Sequence, residues 1–455
     1  MKQPAVFSRM LNKSSHPNWF FIQCKENIVR SFLIYTFVLT CAVLAIAGEH
    51  DYPEQDFYHR SIELPLDHTQ PDAGTFTLLY ELSSNFDFNR PTLIFFQDAQ
   101  QQYGTPGEVD KLAQEYDFFK DFNLVRYQHR GREYSYIDLK NSDGTVDWIR
   151  AYRLMSADQV VEDIERVRQD LFRDRPDAKI LIYGRSGGAC LALRYLAKYS
   201  DHVQRAFVRA APHPIIMHQL GYPESQYFYQ TLAEVDSTLY PKLLEVLDKK
   251  TVPGYRLFWI LKAIPYASKD PGKDLGDLIN ALYNGDTALY EAYLGRNNFD
   301  IEDKMIPEQK MGAWEIGGAL RPVEISAEYM LDPAPEFIDP FYGCLKKLCE
   351  PYLDLIATGK VEKPAFPPLE KFESINTEVF YLAGRHDHVS DYRIGIELGK
   401  VIPHYTLFIA DDNHTMSMHA DCCPLLRNTF FLYGPDSDEL RAAKSSVSCK
   451  EWRSE

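Results

Sequence analysis

The chain predicts a mostly parallel α/β sheet with helices on both faces, interrupted by one large helical insertion. Three observations carry this. Apolar, β-branched runs alternate with helix-period stretches. The alternation stops near Pro212 and resumes at Glu378. A serine flanked by glycines, Gly184-Arg185-Ser186-Gly187-Gly188, sits where a strand gives way to a helix.

Composition sets the outer limits. Of 455 residues, 45% are hydrophobic and 25% charged, which is a globular balance and excludes collagen-like, coiled-coil and wholly disordered chains. The formal charge of −16 excludes a general nucleic-acid binder, which needs a basic face to displace counterions. No repeat at solenoid or propeller spacing is present.

The N-terminus reads as a leader. Residues Ser31 to Gly48 are uncharged and mostly apolar, Lys25 and Arg30 precede them, and Ala45-Ile46-Ala47 ends the run in an A-x-A pattern. This predicts a secretory signal peptide cut near Ala47, with an uncleaved anchor as the alternative. Cleavage removes five basic residues and one acidic one, and leaves a still more acidic chain with no polybasic grip on lipid. The expected product is secreted or periplasmic, without stable membrane contact.

Strands are expected at His59–Leu66, Thr75–Leu82, Thr92–Gln97, Asn123–His129, Lys179–Tyr183 and Arg205–Ala210. Between the fourth and fifth, Ala157–Leu171 carries Val160, Val161, Ile164 and Val167 at helical spacing, with charges on the other face. Strand, helix, strand in this order means parallel strands joined by crossover helices. Two further strands, Glu378–Ala383 and Tyr405–Ala410, follow the break. The stretch between is helix-like, rich in tyrosine and broken by prolines, and too long for a loop. The boundaries expected are therefore a leader at 1–47, a first core part at 48–212, a helical insertion at 213–372 and a second core part at 373–455. The insertion follows a strand's C-terminal end, where open α/β sheets carry their ligand crevice, so it is expected to cover the site.

The chemistry centres on Ser186. A serine on a sharp strand-to-helix turn is held in a strained conformation with its hydroxyl exposed above the sheet. The flanking glycines leave room for the neighbouring chain. The Gly187 N–H then points at an oxyanion forming beside Ser186. A hydroxyl needs a base, and the base an orienting acid. Asp387 lies in the loop after the strand Glu378–Ala383, and His414 directly after Tyr405–Ala410. Asp391 is the alternative acid and His419 the alternative base. Asn413-His414-Thr415 is formally a glycosylation sequon, read as unused because a glycan there would block the base. No metal site and no cofactor is predicted: H-E-x-x-H is missing, and adjacent loop residues such as His386, Asp387 and His388 rarely converge on one ion.

These motifs carry a resemblance. The core resembles the α/β-hydrolase fold. Within it, the chain is similar to secreted prolyl and tripeptidyl aminopeptidases of the proline iminopeptidase type over about Phe57–Ala211 and Thr377–Leu432. The segments concerned are Leu64-Pro65-Leu66-Asp67-His68 with Gly74-Thr75-Phe76-Thr77-Leu78, His129-Arg130-Gly131-Arg132, the Ser186 turn and the Gly384-Arg385-His386-Asp387 loop. The resemblance implies Ser186 as nucleophile, Asp387 as acid and His414 as base. One segment departs from it. Where such proteins place H-G-G-P-G, this chain has Gln97-Asp98-Ala99-Gln100-Gln101. Ala99 N–H is expected as the second oxyanion donor, whereas Asp98 pointing inward would oppose a developing oxyanion.

The resemblance also implies that carboxylates from the insertion bind the substrate's free N-terminus. The candidates are Glu328, Glu315 and Glu324. The expected function is therefore an exported serine peptidase that removes an N-terminal residue or short peptide. The alternatives are an exported esterase or lipase acting on a small ester with the same triad, and a catalytically silent binding protein. Six cysteines remain after the leader. Cys344 with Cys349, and Cys449 with Cys422 or Cys423, are the shortest links, while Cys190 reads as a buried thiol.

Overall fold

The computed structural model describes residues 55–98, 109–115, 121–132, 134–296, 311–332 and 339–452. The leader expected at 1–47 and the expected oxyanion donor Ala99 lie outside them. Eight strands form one sheet in the order β1-β2-β4-β3-β5-β6-β7-β8. They are β1 (His59–Pro65), β2 (Thr75–Leu82), β3 (Thr92–Phe96), β4 (Asn123–Tyr127), β5 (Ile180–Arg185), β6 (Val203–Arg209), β7 (Glu378–Gly384) and β8 (Tyr405–Ala410). β1 and β2 form an antiparallel pair, β2 runs antiparallel to β4, and from β4 to β8 the strands are parallel.

Both faces of the sheet are covered, which is why β3 and β4 are buried at every residue. Ile94, Phe96, Ile182 and Val208 point into one core, with α3 (Ala157–Leu171) and α4 (Gly187–Tyr199). Leu93, Phe95, Leu181 and Phe207 point into the other. They meet α1 (Val109–Glu115), α14 (Cys422–Tyr433) and α15 (Asp438–Lys444). The strand period of two thus sorts neighbouring residues between two cores. α2 (Trp148–Leu154) precedes α3. The polar face of α3 is less exposed than its charges suggest. Asp163 is buried, bonding His68 at 2.7 Å and the Arg130 guanidinium at 2.6 and 2.7 Å. Glu165 is buried against Arg168 and Tyr195. The Asp67-His68 and His129-Arg130 segments therefore serve as scaffold: they tie the early strands to α3.

Among the described residues, eight α-helices stand between β6 and β7. They are α5 (Pro214–Gln219), α6 (Pro223–Val235), α7 (Leu239–Asp248), α8 (Gly254–Ala267), α9 (Pro271–Tyr283), α10 (Ala288–Arg296), α11 (Ala313–Leu331) and α12 (Pro340–Ala357). α6 to α10 enclose a core of their own around Leu232, Leu243, Leu257, Leu275 and Ile279. α11 and α12 instead bury Ile316, Leu320, Val323, Leu345 and Tyr352 in the main core. Among the described residues, no helix is long and apolar enough to cross a membrane.

A C-terminal tail closes the far edge of the sheet, after α13 (Tyr392–Leu398) and the two last helices. Glu451 pairs with Ala410 antiparallel to β8, Asp411 N donates to Lys450 O at 2.8 Å, and Trp452 N donates to Ile409 O at 2.7 Å. A Cys422–Cys449 disulfide pins this tail to the start of α14. The Cys344–Cys349 link expected from sequence is not formed, and both are buried thiols. They lie five residues apart in one helix, which separates them by about 7.5 Å along its axis. Cys190 is a buried thiol, and burial pushes its pKa up to about 12.

Candidate active site

β5 ends at Arg185 and α4 begins at Gly187, so Ser186 alone makes the turn. Its φ of 52° and ψ of −128° place it in a region that side chains rarely adopt. The surroundings hold it there. Ser186 N donates to Arg209 O at 2.9 Å, and Ser186 O accepts from Ala189 N at 2.9 Å and Cys190 N at 3.1 Å. Gly188 passes so close to β3 that a Cβ there would stand 2.3 Å from Phe96 O. Gly187 opens α4, whose first N–H groups have no acceptor within the helix and favour an anion.

Asp387 and His414 meet at the same edge of the sheet, after β7 and β8. Asp387 is 1% exposed. Its Oδ1 accepts from Val389 N at 2.7 Å and Ser390 N at 2.9 Å, and its Oδ2 lies 2.8 Å from His414 Nδ1. Three contacts thus fix a carboxylate that fixes the imidazole. The rival acid Asp391 is spent on capping α13 and on the Arg393 guanidinium, at 3.0 Å. In the loop that carries His414, Asp412 accepts from Asn413 N, Met418 N and His419 N. The two loops pass closely, since a Cβ on Gly384 would lie 2.6 Å from the carbonyl oxygens of Asp412 and Asn413.

The strand order, with β2 antiparallel in an otherwise parallel run, and a strained serine between β5 and α4 decide the fold. The chain has the α/β-hydrolase fold. A family model described as serine aminopeptidase, S33 matches residues 118–258 of this chain. A proline iminopeptidase of Aspergillus aculeatus is 26% identical over 172 residues, covering 34% of this chain and 36% of that protein. The match thus spans about a third of the curated relative's length. Two solved structures are similar at 13% identity. One is MGS-M2, an α/β-hydrolase enzyme from a Medee basin deep-sea metagenome library, with a TM-score of 0.40 over 80% of this chain and 97% of that one. The other is a thermophilic esterase from Thermogutta terrifontis, with a TM-score of 0.39 over 82% and 98%.

The three insertion carboxylates expected at the site have partners within the fold. Glu315 Oε2 accepts from Gly312 N at 3.0 Å and caps its own helix. Glu324 is buried, accepts from Ala157 N at 2.7 Å to cap α3, and pairs with Arg321. Burial pushes its pKa up. Glu328 is half exposed, paired with Lys363 at 3.2 Å and His218 at 3.3 Å. A helix cap looks the same in sequence as a free helix-face carboxylate, and these contacts are revealed only by the fold.

The insertion reaches the site by another route. The Tyr266 ring, near the end of α8, stands 4.7 Å from the His414 ring at 61°. Asn413 Nδ2 donates to Ser268 O at 3.2 Å, just beyond that helix, and to Ser417 Oγ at 2.7 Å. Asn413 is 1% exposed, so the sequon amide is buried and engaged. Nothing in the local sequence marks Tyr266; only its position against His414 does. His386 Nε2 pairs with Asp411 at 2.9 Å, and Lys450 pairs with the same carboxylate. Among the described residues, no group of three or more His, Cys, Asp or Glu is placed to hold a metal ion.

Proposed function

We propose that this α/β-hydrolase cleaves an amide or ester by forming an acyl-enzyme on Ser186, and that its own reaction removes an N-terminal residue or short peptide. The buried Asp387–His414 pair carries the reading. His414 Nε2 takes the Ser186 proton as the hydroxyl attacks the carbonyl. Asp387 holds Nδ1 protonated and stabilises the imidazolium. The Gly187 N–H, with Ala99 N–H as second donor, receives the oxyanion. His414 then returns the proton to the leaving amine or alcohol. Water, activated by the same base, releases the acid. These steps draw only on protein groups and water. Residues 1–47 would direct the chain out of the cytoplasm before it acts.

Peptide as substrate is supported by the serine aminopeptidase family match and the proline iminopeptidase relative. Ester cleavage by the same residues is the second reading. It is favoured by the engagement of Glu315, Glu324 and Glu328 with other groups.

The test compares residues 48–455 with the Ser186→Ala variant on arylamides bearing free or blocked N-termini and on acyl esters. Loss of turnover by at least about 10³-fold in Ser186→Ala is expected. Equal turnover in both proteins would remove Ser186 from the mechanism.

A further inference from the structure

We propose that Trp452 is a positioning residue for the Asp387–His414 pair, and that the Cys422–Cys449 disulfide keeps it in place. This rests on the triad reading above. The loop that carries Asp387 runs from the end of β7 to the start of α13. The Trp452 ring meets both ends of it. The Arg385 guanidinium stands 5.1 Å from the ring centroid, and the Tyr392 ring meets it edge to face at 5.1 Å and 64°. One indole thus spans the two feet of the acid loop.

The same tail runs along the strand that leads to His414. Trp452 N donates to Ile409 O at 2.7 Å, Glu451 pairs with Ala410, and Asp411 N donates to Lys450 O at 2.8 Å. The Asp411 carboxylate is shared between Lys450 and His386, with His386 Nε2 at 2.9 Å. These ionic contacts are partly exposed and contribute little alone; the ring and the backbone bonds carry the strap. The two catalytic loops also bond each other. Arg385 N donates to Ala410 O at 2.8 Å, and His386 N donates to Asp412 O at 2.9 Å. Asp387 and His414 therefore stand on loops that one tail holds from outside. Cys449 lies three residues before Trp452, so its bond to Cys422 fixes where the strap begins.

The 2.8 Å contact between Asp387 and His414 Nδ1 sets which imidazole nitrogen faces Ser186. A shift of about 1 Å at a reacting group costs up to about 100-fold in rate. The strap's contacts fall on the acid and base loops, so its loss is read in proton transfer, as kcat, rather than in substrate binding.

The experiment uses the full chain and compares the wild type with Trp452→Ala, Trp452→Phe, Asp387→Asn, Ser186→Ala and Trp452→Ala combined with Asp387→Asn, each checked for folding by circular dichroism. The substrates are alanine and proline arylamides and a neutral acyl ester. Trp452→Ala is expected to lower kcat roughly 10- to 30-fold with KM changed less than about threefold, and Trp452→Phe to restore kcat to within about threefold. In the Asp387→Asn background, where the pair is already broken, Trp452→Ala should cost less than about twofold. General destabilisation would act equally in both backgrounds. Dithiothreitol supplies the second lever. It opens the Cys422–Cys449 bond, the two sulfurs taking up two electrons and two protons while the reagent's two thiols close to a disulfide. Reduced wild type should fall to the Trp452→Ala rate, and Trp452→Ala should fall no further. Unchanged kcat in Trp452→Ala, an equal fall in the Asp387→Asn background, a rise in KM alone, or a wild type indifferent to reduction once thiol counting shows the bond open overturns the proposal and leaves the triad intact. Full turnover in Ser186→Ala or Asp387→Asn, or no turnover of any substrate, overturns the triad and the proposal with it.

Discussion

A serine with φ of 52° is held by its neighbours' lack of side chains as much as by its hydrogen bonds. Gly188 is the clearest case. In Gly188→Ala, the new methyl would stand 2.3 Å from Phe96 O, a backbone atom that cannot turn aside. Either β3 or the start of α4 must shift, at an expected cost of about 2 kcal/mol or more, read from urea denaturation. Turnover should fall with it, because Ser186 and Gly187 move together. At this scale the sequence was most legible. Ser186 follows β5 directly and Asp387 and His414 lie in the short loops after β7 and β8, so a local pattern finds them. The partners of Glu315, Glu324 and Glu328 were illegible for the opposite reason: a carboxylate's hydrogen-bond partner is set by tertiary packing. Asp98 stood out in the sequence only as a departure, and in the fold its carboxylate stands against Gly187.

Helix α8 is the element that joins the insertion to the base. Tyr266 lies against His414, and Asn413 bonds the carbonyl of Ser268. The imidazole is thus braced by Asp387 on one ring edge and by the insertion through its face. Tyr266→Ala removes an aromatic pair worth about 0.5–1.5 kcal/mol. A roughly three- to tenfold loss in kcat is expected, with a smaller change in KM, because the ring positions the base rather than the substrate. Tyr266→Phe should restore most of it; a failure of that rescue would assign the effect to the hydroxyl. Strand positions were readable to within a residue or two, since buried strands are nearly continuous apolar runs. β8 matched the expected Tyr405–Ala410, and β5 runs on to Arg185. Cys344 and Cys349 misled because short separation in sequence is not proximity once both join one helix.

At the scale of the whole molecule, His129 and His213 are buried histidines away from Asp387. His129 is 5% exposed and His213 is 0%. Burial, the leading cause for each, pulls both pKa values down to about 3. In the unfolded chain a histidine titrates near 6.5. Between about pH 6.5 and 3 the unfolded state therefore binds protons that the fold refuses. Stability should be full above that window and should fall as pH drops through it, by up to about 1.4 kcal/mol per pH unit for each group. Melting temperatures between pH 7 and 4 would show the slope, and His213→Gln should flatten it. The two-sided sheet was legible as a whole because its strands carry apolar residues on both faces. The division of the insertion was not. α6 to α10 keep their own core, while α11 and α12 merge with the main one, and helical periodicity alone does not say which core a stripe meets.

The path from β6 to β7 has a consequence in time. Residues 210–377 lie between two strands that are neighbours in the sheet. Ser186 is made before that span, and Asp387 and His414 after it. Closing so long a loop is entropically slow unless its helices have condensed first. As the chain emerges from the ribosome, the Ser186 turn can form while Asp387 and His414 are still unsynthesised. The proposed triad is therefore incomplete until the final strands dock, and assembly order alone would keep the proposed activity latent until then.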